Sequence, residues 1–299
     1  MAHKNPKQKV KWEGVITNIQ NNVLTNLAKY KFLTLSQLLQ LEVGTTQYKY
    51  LWKQVASLRD RNKPLVKCQR FSVSQPQNGN PPERVEDWYY LNNTGKKVLI
   101  EELNFKHEIR LPIGRGNLAY KDYQHRKRTI DFQILLNLCS KENNYNVSFF
   151  DSYFEKMGNN RRDKNLRAKT RIDFEGDDFF IPDGAFKLAH QNKNKFYLFE
   201  MYSGRDTKRT LAQLHKHGLS LTQRFTHRAY ELPVNKPYFI ILLFQYESIK
   251  NALIEKAKKE GRTFSLIEKY FRCKSIEQLE KDNFISNWKT LFGSSTSLF

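Results

Sequence analysis

The sequence has little cysteine, and none of it is arranged for cross-linking or for zinc binding. Among 299 residues there are three cysteines, Cys68, Cys139 and Cys273, which are odd in number and far apart. This pattern argues against a disulfide framework and against a paired Cys-x-x-Cys metal site. We therefore expect a protein of a reducing cytoplasm.

Long apolar runs are also missing. No stretch approaches the roughly 20 apolar residues of a membrane-spanning helix. The segment 1–6, MAHKNP, lacks the apolar core of a signal peptide. We expect no membrane attachment.

Acidic residues are scarce relative to basic ones. Aspartate and glutamate number 30 against 51 lysines and arginines, which gives a formal charge of +21. The basic residues are spread along the whole chain, and this distribution predicts a polyanionic partner, for which we expect double-stranded DNA. The length and the 39% hydrophobic content suffice for two domains. The sequence leaves the oligomeric state open, a homodimer included.

The first domain, 1–103, has the pattern of a winged helix-turn-helix. Apolar residues from Ile16 to Tyr30 recur at helical spacing, and a capping box at 34–37 begins a second helix. Thr45 or Thr46 can cap a third. The inward face of that third helix is expected to consist of Leu51, Trp52, Val55 and Leu58.

The third helix and the hairpin after it are the expected DNA contacts. Two strand-like runs, 65–73 and 88–91, flank a polar loop at 74–82 and would form the wing. Polar and basic side chains on the helix and at the base of the wing are the predicted DNA ligands. They are Gln47, Lys49, Tyr50, Lys53, Arg59, Lys67 and Arg70. An ordinary solvated face is the alternative interpretation of the same residues.

A linker at 104–117 is expected to lead to a second domain, 118–299, in which two apolar strand-like runs each carry one carboxylate. The first run ends in Pro182-Asp183-Gly184, and the second carries Glu200. A hairpin with its turn at 190–194 would bring Asp183 beside Glu200, as a hard cation such as Mg²⁺ or Mn²⁺ requires. The alternative is a common Pro-Asp-Gly turn and an edge-strand glutamate. Strands flanked by helices indicate an α/β class, α+β over the whole chain.

The order of a strand with Asp183, a short turn and a strand with Glu200 resembles the PD-(D/E)XK nuclease superfamily. The matching residues are Pro182-Asp183 and Glu200-Met201-Tyr202. Tyr202 stands where that superfamily has lysine. The stretch 200–207 is also similar to replication-relaxation proteins of plasmids and integrative elements. The resemblance implies a winged helix followed by a restriction-endonuclease-like mixed sheet. It also implies a metal-dependent DNA nickase or endonuclease acting in replication initiation or mobilisation.

Further site residues follow from this resemblance. Those proteins carry a histidine followed by Asn or Asp on the first helix of the nuclease-like half, which corresponds to His125 and Asp131. Asp131 is accordingly a candidate metal ligand with Asp183 and Glu200, or else a surface carboxylate paired with the basic residues at 126–128.

The missing lysine leaves the catalytic cation open. Lys187, which shares the strand parity of Asp183, and Lys208, at the start of the next helix, are the candidate replacements. Tyr202 is a candidate nucleophile, and Lys216 a candidate DNA contact. A non-catalytic origin-binding protein with a degenerate nuclease fold, or a protein-interaction scaffold, are the alternative functions.

Overall fold

A computed structural model describes residues 15–71, 85–112, 122–158, 166–191, 193–204 and 206–298. The chain divides into two compact units, Met1–Lys121 and Asp122–Phe299. Residues 104–112, predicted to be linker, contact the first unit: the Phe105 N–H donates to the Leu99 carbonyl, and the Arg110 N–H to that of Ala28. The division between the units falls close to the predicted start of the second domain at 118.

The first unit consists of three helices, an antiparallel hairpin and a fourth helix. These are α1 (Asn18–Tyr30), α2 (Leu35–Gln40), α3 (Tyr48–Arg59), β1 (Val66–Gln69), β2 (Trp88–Leu91) and α4 (Asn93–Glu101). Thr17 and Thr34 form complete capping boxes at α1 and α2. Leu33 pairs with Tyr89 of the hairpin, which ties the turn between α1 and α2 to β2.

Helix α3 differs from the prediction in two respects. Its N-cap is Gln47, whose side chain makes no capping bond. Thr45 Oγ1 instead accepts from the Gln47 N–H at 3.1 Å. Trp52, predicted to face inward, is 46% exposed, because one residue along a helix rotates by about 100° and Leu51 takes the buried stripe. The predicted wing loop, 74–82, lies outside the described residues.

The second unit begins with a long helix and a strand, followed by two short hairpins. These elements are α5 (Tyr123–Glu142), β3 (Asn146–Ser152), β4 (Lys156–Met157), β5 (Arg167–Ala168), β6 (Ile172–Asp173) and β7 (Phe179–Phe180). The hairpin that carries the candidate carboxylates follows, with a helix pair after it. They are β8 (Gly184–His190), β9 (Lys193–Tyr202), α6 (Thr207–Gln223) and α7 (Phe225–Ala229).

The last part of the chain completes the sheet. It comprises β10 (Phe239–Phe244), α8 (Glu247–Lys259), α9 (Gly261–Ser265), β11 (Phe271–Ser275), α10 (Ile276–Lys281), β12 (Trp288–Lys289) and β13 (Ser295–Thr296). Seven of the described strands form a mixed sheet in the order β13-β12-β11-β10-β9-β8-β3. Strand β10 is parallel to β9 and β11, while β3, β8 and β9 form an antiparallel meander. The predicted α/β class is therefore confirmed.

Apolar side chains cover both faces of the sheet. On β9, Leu198 belongs to the core under α6, and Phe199 belongs to the core under α5. Phe132 of α5 stacks on Phe199 with ring centroids 4.1 Å apart. The two cores place α5 and α6 on opposite faces, so the sheet is a buried middle layer.

The run that carries Asp183 is divided into two strands, β7 and β8. Between them, the Pro182 carbonyl accepts a hydrogen bond from the Thr170 hydroxyl at 2.6 Å. Proline has no N–H to continue a ladder, so Asp183 lies just before the sheet rather than within it. The turn predicted at 190–194 is confirmed, since β8 ends at His190 and β9 begins at Lys193. None of the described helices is long and apolar enough to cross a bilayer.

Candidate active site

The β8–β9 hairpin places Asp183 and Glu200 side by side. Gly184 pairs with Phe199, so the residue before Gly184 lies across from the residue after Phe199. The Asp183 backbone amide is near enough to the Glu200 carboxylate to act against the rise in the pKa of Glu200. The Asp183 side chain is 12% exposed and that of Glu200 is 2% exposed. Two acidic groups thus meet at a nearly buried position, where their charges interact strongly.

Asp183 is fixed through both of its carboxylate oxygens. Oδ1 lies 2.7 Å from Nε2 of His125, on the first turn of α5. Oδ2 accepts from the Met201 N–H at 2.7 Å. Burial acts to lower the pKa of His125, but the charge of Asp183 and the hydrogen bond to it outweigh burial and raise that pKa. When it is protonated, His125 is a local counter-charge to Asp183.

Glu200 is held by two side chains of α6. Its Oε1 lies 2.7 Å from His217 Nε2, and its Oε2 accepts from Gln213 Nε2 at 3.0 Å. Burial, followed by the charge of Asp183, raises the pKa of Glu200 well above its usual range. Burial lowers the pKa of His217 to about 3, so its ring is neutral near pH 7. A neutral pair is the arrangement that a buried position favours.

Helix α6 presents one stripe of side chains to this position. Arg209, Gln213 and His217 follow one another at intervals of four residues, which places them on one face of the helix. Burial raises the pKa of Glu200 and of Tyr202, and the charge of Arg209 offsets a small part of each rise. Lys208, the predicted replacement for the missing lysine, lies about 100° further around the helix. Arg209 is thus a cation of α6 whose charge acts on Glu200; the role predicted for Lys208 remains a prediction.

Tyr202 shares the face of Glu200 and packs under the helices. Its ring stacks on Phe244 at a centroid distance of 5.3 Å. Its hydroxyl is buried and has no hydrogen-bond partner among the described residues. Burial, then the charges of Glu200 and Asp183, raise the pKa of Tyr202 well above its usual value. This environment disfavours the phenolate that a nucleophilic role needs.

Two further predicted site residues lie elsewhere. Lys187 shares the sheet face of Asp183, as predicted, but is four residues along β8, about 13 Å away at about 3.3 Å per residue. It lines a cavity with Phe196 and Tyr230 and is too distant to replace the lysine. Asp131 pairs with Lys127 at 3.2 Å and Arg128 at 3.9 Å on its own helix. The surface-carboxylate alternative for Asp131 is therefore the correct one.

Lys216 also points away from the two carboxylates. Its ammonium donates to Asp178 at 2.7 Å and to the Phe179 carbonyl at 2.9 Å. The lysine therefore fastens α6 to the β6–β7 hairpin. Its predicted contact with DNA remains a prediction.

In the first unit, the α3 surface comprises Gln47, Lys49, Tyr50 and Lys53, all exposed. Arg59 is different, because its guanidinium donates to both oxygens of Asp60 at 2.6 and 2.8 Å. That hydrogen bond raises the pKa of Arg59 above its usual value. At the hairpin, Lys67 is exposed, and Arg70 lies 4.0 Å from Asp87. The predicted DNA ligands thus divide into those that face an acid and those that do not.

Sequence reasoning missed part of the surroundings of Glu200. The position of His217 beside Glu200 was not predicted from the sequence. The four-residue spacing on the helix after the Glu200 strand was the available signal. In the part of the chain that the structure describes, no group of three or more His, Cys, Asp and Glu side chains has a metal-binding arrangement.

The donor chemistry nevertheless fits a divalent cation. Asp183 and Glu200 offer oxygen atoms of the kind that Mg²⁺ and Mn²⁺ prefer. Their mutual repulsion, which contributes to the raised pKa of Glu200, is the effect that a bound cation relieves. We name Asp183, Glu200, His125, Arg209, Gln213 and His217 the carboxylate site.

Neither a protein-family model, nor a curated protein, nor a solved structure matches this chain.

Proposed function

We propose that this protein is a DNA-binding, metal-dependent nickase or endonuclease of a plasmid or other mobile element. In this proposal the first unit docks on duplex DNA as a winged helix, and the second unit cuts a strand. The convergence of Asp183 and Glu200 at one end of the sheet is the observation that carries the proposal. Paired carboxylates at a sheet end are the chemistry that the resemblance implies.

The order of elements in the second unit supports a nuclease-like fold. Helix α5 precedes the meander β3-β8-β9, and helix α6 then leads to β10, which is parallel to β9. The resemblance implies a mixed sheet in which the Pro-Asp strand and the glutamate strand are followed by a helix, and this order agrees with that expectation. The short hairpins β4–β5 and β6–β7 are additions between the first two strands of that core.

The residues of the carboxylate site have separate roles in this proposal. Asp183 and Glu200 would hold Mg²⁺ or Mn²⁺, which when bound polarises a phosphate and activates water. His125 fixes the orientation of Asp183, while Gln213 and His217 fix that of Glu200. Arg209 supplies positive charge for the phosphate, a role in which a preorganised cation stabilises developing negative charge.

The first unit supports a DNA-docking role through its α3 surface. Three helices followed by a hairpin are the expected order of a winged helix, with the third helix in the DNA groove. Lys49 and Lys53 are exposed on that helix, and the formal charge of the chain is +21. Both features favour a partner with a phosphate backbone.

Two features favour the non-catalytic alternative, an origin-binding protein with a degenerate nuclease fold. Tyr202 occupies the position of the missing lysine, and Glu200 is only 2% exposed. A carboxylate that is already bonded to His217 and Gln213 is less available to a metal. The same DNA binding without cleavage would then be the whole function.

The deciding experiment uses supercoiled plasmid carrying the element's own origin, with Mg²⁺ or Mn²⁺. Wild type is expected to nick or linearise the plasmid, whereas Asp183→Ala and Glu200→Ala are expected to be inactive. Asp131→Ala is the matched control, because Asp131 is bonded within α5 and should be dispensable. Loss of activity in Tyr202→Phe together with a protein–DNA adduct in wild type would instead assign a tyrosine nucleophile.

Metal binding is tested separately by thermal unfolding. A cation that binds the native state alone stabilises it by about 2.7 kcal/mol at 100 times its dissociation constant. Mn²⁺ should therefore raise the melting temperature of wild type and of Asp131→Ala, but not of Asp183→Ala. Binding of the plasmid without cleavage in any divalent metal would favour the origin-binding alternative.

A further inference from the structure

A cavity of about 260 Å³ lies on the same sheet face as the carboxylates, near the far end of the β8–β9 hairpin. Its walls combine lysines, aromatic rings and prolines. They include Phe149, Lys187, Asn194, Lys195, Phe196, Tyr230, Glu231, Leu232, Pro233, Lys236 and Pro237. We call it the lysine cavity.

The sheet itself builds the floor of the lysine cavity. Phe149 of β3 pairs with Lys187 of β8, and Lys187 pairs with Phe196 of β9. Directly paired residues face the same side, with Cβ atoms about 4.5–5.5 Å apart. The lysine is therefore flanked by a phenylalanine on each neighbouring strand. Such a row places an ammonium group beside flat apolar surfaces.

Helix α7 and the loop after it supply a third ring and a second ammonium. The Tyr230 ring lies 4.7 Å from that of Phe196 and 6.4 Å from that of Phe149, measured between centroids. Lys236 follows on the loop, tied to α7 because its carbonyl lies 2.9 Å from His227 Nε2. The three rings and Lys236 therefore surround Lys187.

The charges of the lysine cavity are unbalanced. Lys187, Lys195 and Lys236 face a single acidic residue of the wall, Glu231. Lys195 is engaged elsewhere, since its ammonium donates to the Leu298 carbonyl at 3.1 Å. Neither Lys187 nor Lys236 has a side-chain hydrogen bond or ion pair within the described ranges. Two ammonium groups that are not bonded to an acid are suited to an anion such as phosphate.

We infer that the lysine cavity binds an unpaired nucleotide of single-stranded DNA, with its base against the rings of Phe149, Phe196 and Tyr230 and its phosphate on Lys187 and Lys236. Base–aromatic stacking combined with a cationic groove is how proteins hold single strands. The inference rests on the proposed function, to which it adds the strand state of the substrate. The cavity lies about 13 Å along the strands from Asp183.

The test measures binding of a fluorescein-labelled oligothymidylate to the full chain, beside the same sequence in duplex form. The double variant Lys187→Ala, Lys236→Ala should bind the single strand about tenfold more weakly. The control Lys259→Ala, Lys281→Ala removes the same charge from exposed positions on α8 and α10, and should change binding little. Equal weakening by both double variants, or no binding by wild type, would overturn the inference.

Two further arms distinguish the ligand and the sign of the effect. Glu231→Gln removes the opposing charge and should strengthen binding of the oligothymidylate, whereas an unchanged affinity would contradict the predicted charge balance. Thymidine monophosphate should compete poorly at the same nucleotide concentration. Effective competition would assign the cavity to a free nucleotide and overturn the single-strand inference.

Failure here is distinct from failure of the proposed function. If wild type cuts plasmid while the Lys187, Lys236 variant binds single strands normally, only the inference about the cavity fails. If wild type neither binds duplex DNA nor cuts it, the proposed function fails.

Discussion

The α3 surface and the carboxylate site use polar residues in opposite ways. Lys49 and Lys53 extend into solvent, where their charges act over distance and are screened by salt. Glu200 and His217 are almost completely buried, and each depends on the partner that the fold provides. A surface of the first kind tolerates substitution but responds to ionic strength, whereas a site of the second kind is sensitive to any change of shape.

The largest expected effect is the loss of stability caused by a substitution in the carboxylate site. His217→Ala removes a fully buried ring and leaves Glu200 Oε1 without its partner at 2.7 Å. We expect the free energy of unfolding to fall by about 2–4 kcal/mol, from the cavity and the unsatisfied carboxyl oxygen. Urea denaturation measures this value.

His215→Ala is the matched control for that substitution. His215 lies two residues away on α6, is exposed, and pairs with Glu260 on the surface at 2.8 Å. Its loss should cost less than about 1 kcal/mol. A similar cost for both variants would mean that neither the burial of the His217 ring nor its contact with Glu200 stabilises the fold.

His217 and Glu200 should contribute to the pH dependence of stability with opposite signs. The pKa of His217 is lowered to about 3 from 6.5, so between those values the unfolded chain binds a proton that the folded chain does not. This contribution to stability is lost as pH falls below about 6.5. The pKa of Glu200 is raised above 4.5, so its contribution is instead lost as pH rises above about 4.5.

Single variants separate these two contributions. Between pH 4.5 and 6.5, His217→Gln should make stability rise less with pH than in wild type, by about one proton. Glu200→Gln should make it rise more. Urea titrations across this range provide the slopes. Identical slopes in all three proteins would show that the pair does not titrate as its burial implies.

The sequence sufficed for the parts of the structure that local patterns determine. The apolar run of β9 and the short turn before it predicted the hairpin that pairs Asp183 with Glu200. The capping box at Thr34 was predicted correctly because side-chain capping is a local interaction. The two-residue strands β12 and β13 carry no periodicity and were not predicted, because they exist only through pairing with β11.

Residues whose position depends on tertiary packing were harder to predict. Trp52 is the largest side chain of α3 and was expected inside, but the bundle buries the stripe of Leu51, Val55 and Leu58. Lys187 has the correct strand parity, yet parity does not give distance along a strand. His217 is buried because α6 packs on the sheet above Glu200, a relation that no local pattern specifies.

Substitutions on the α3 surface should have moderate effects on the affinity for duplex DNA. Exchanging Lys49 and Lys53 together for alanine should weaken duplex binding at every sequence and lower the magnitude of the salt slope by about two. Stability should change by no more than about 0.5 kcal/mol. Fluorescence anisotropy over a salt series measures both affinity and slope. A slope that stays the same would place the phosphate contacts on another surface.

The smallest expected effect is that of Arg59, although it has the same charge as its neighbours on α3. Its guanidinium donates to both oxygens of Asp60 at 2.6 and 2.8 Å, so the pair presents little net charge to a phosphate. Arg59→Ala should therefore weaken duplex binding less than Lys53→Ala does. Asp60→Asn tests the reason, because removal of the acid frees the guanidinium and should strengthen binding. If Arg59→Ala proves the more damaging of the two, the guanidinium leaves Asp60 for the DNA, and solvent exposure alone is a poor guide to which cations of this surface bind it.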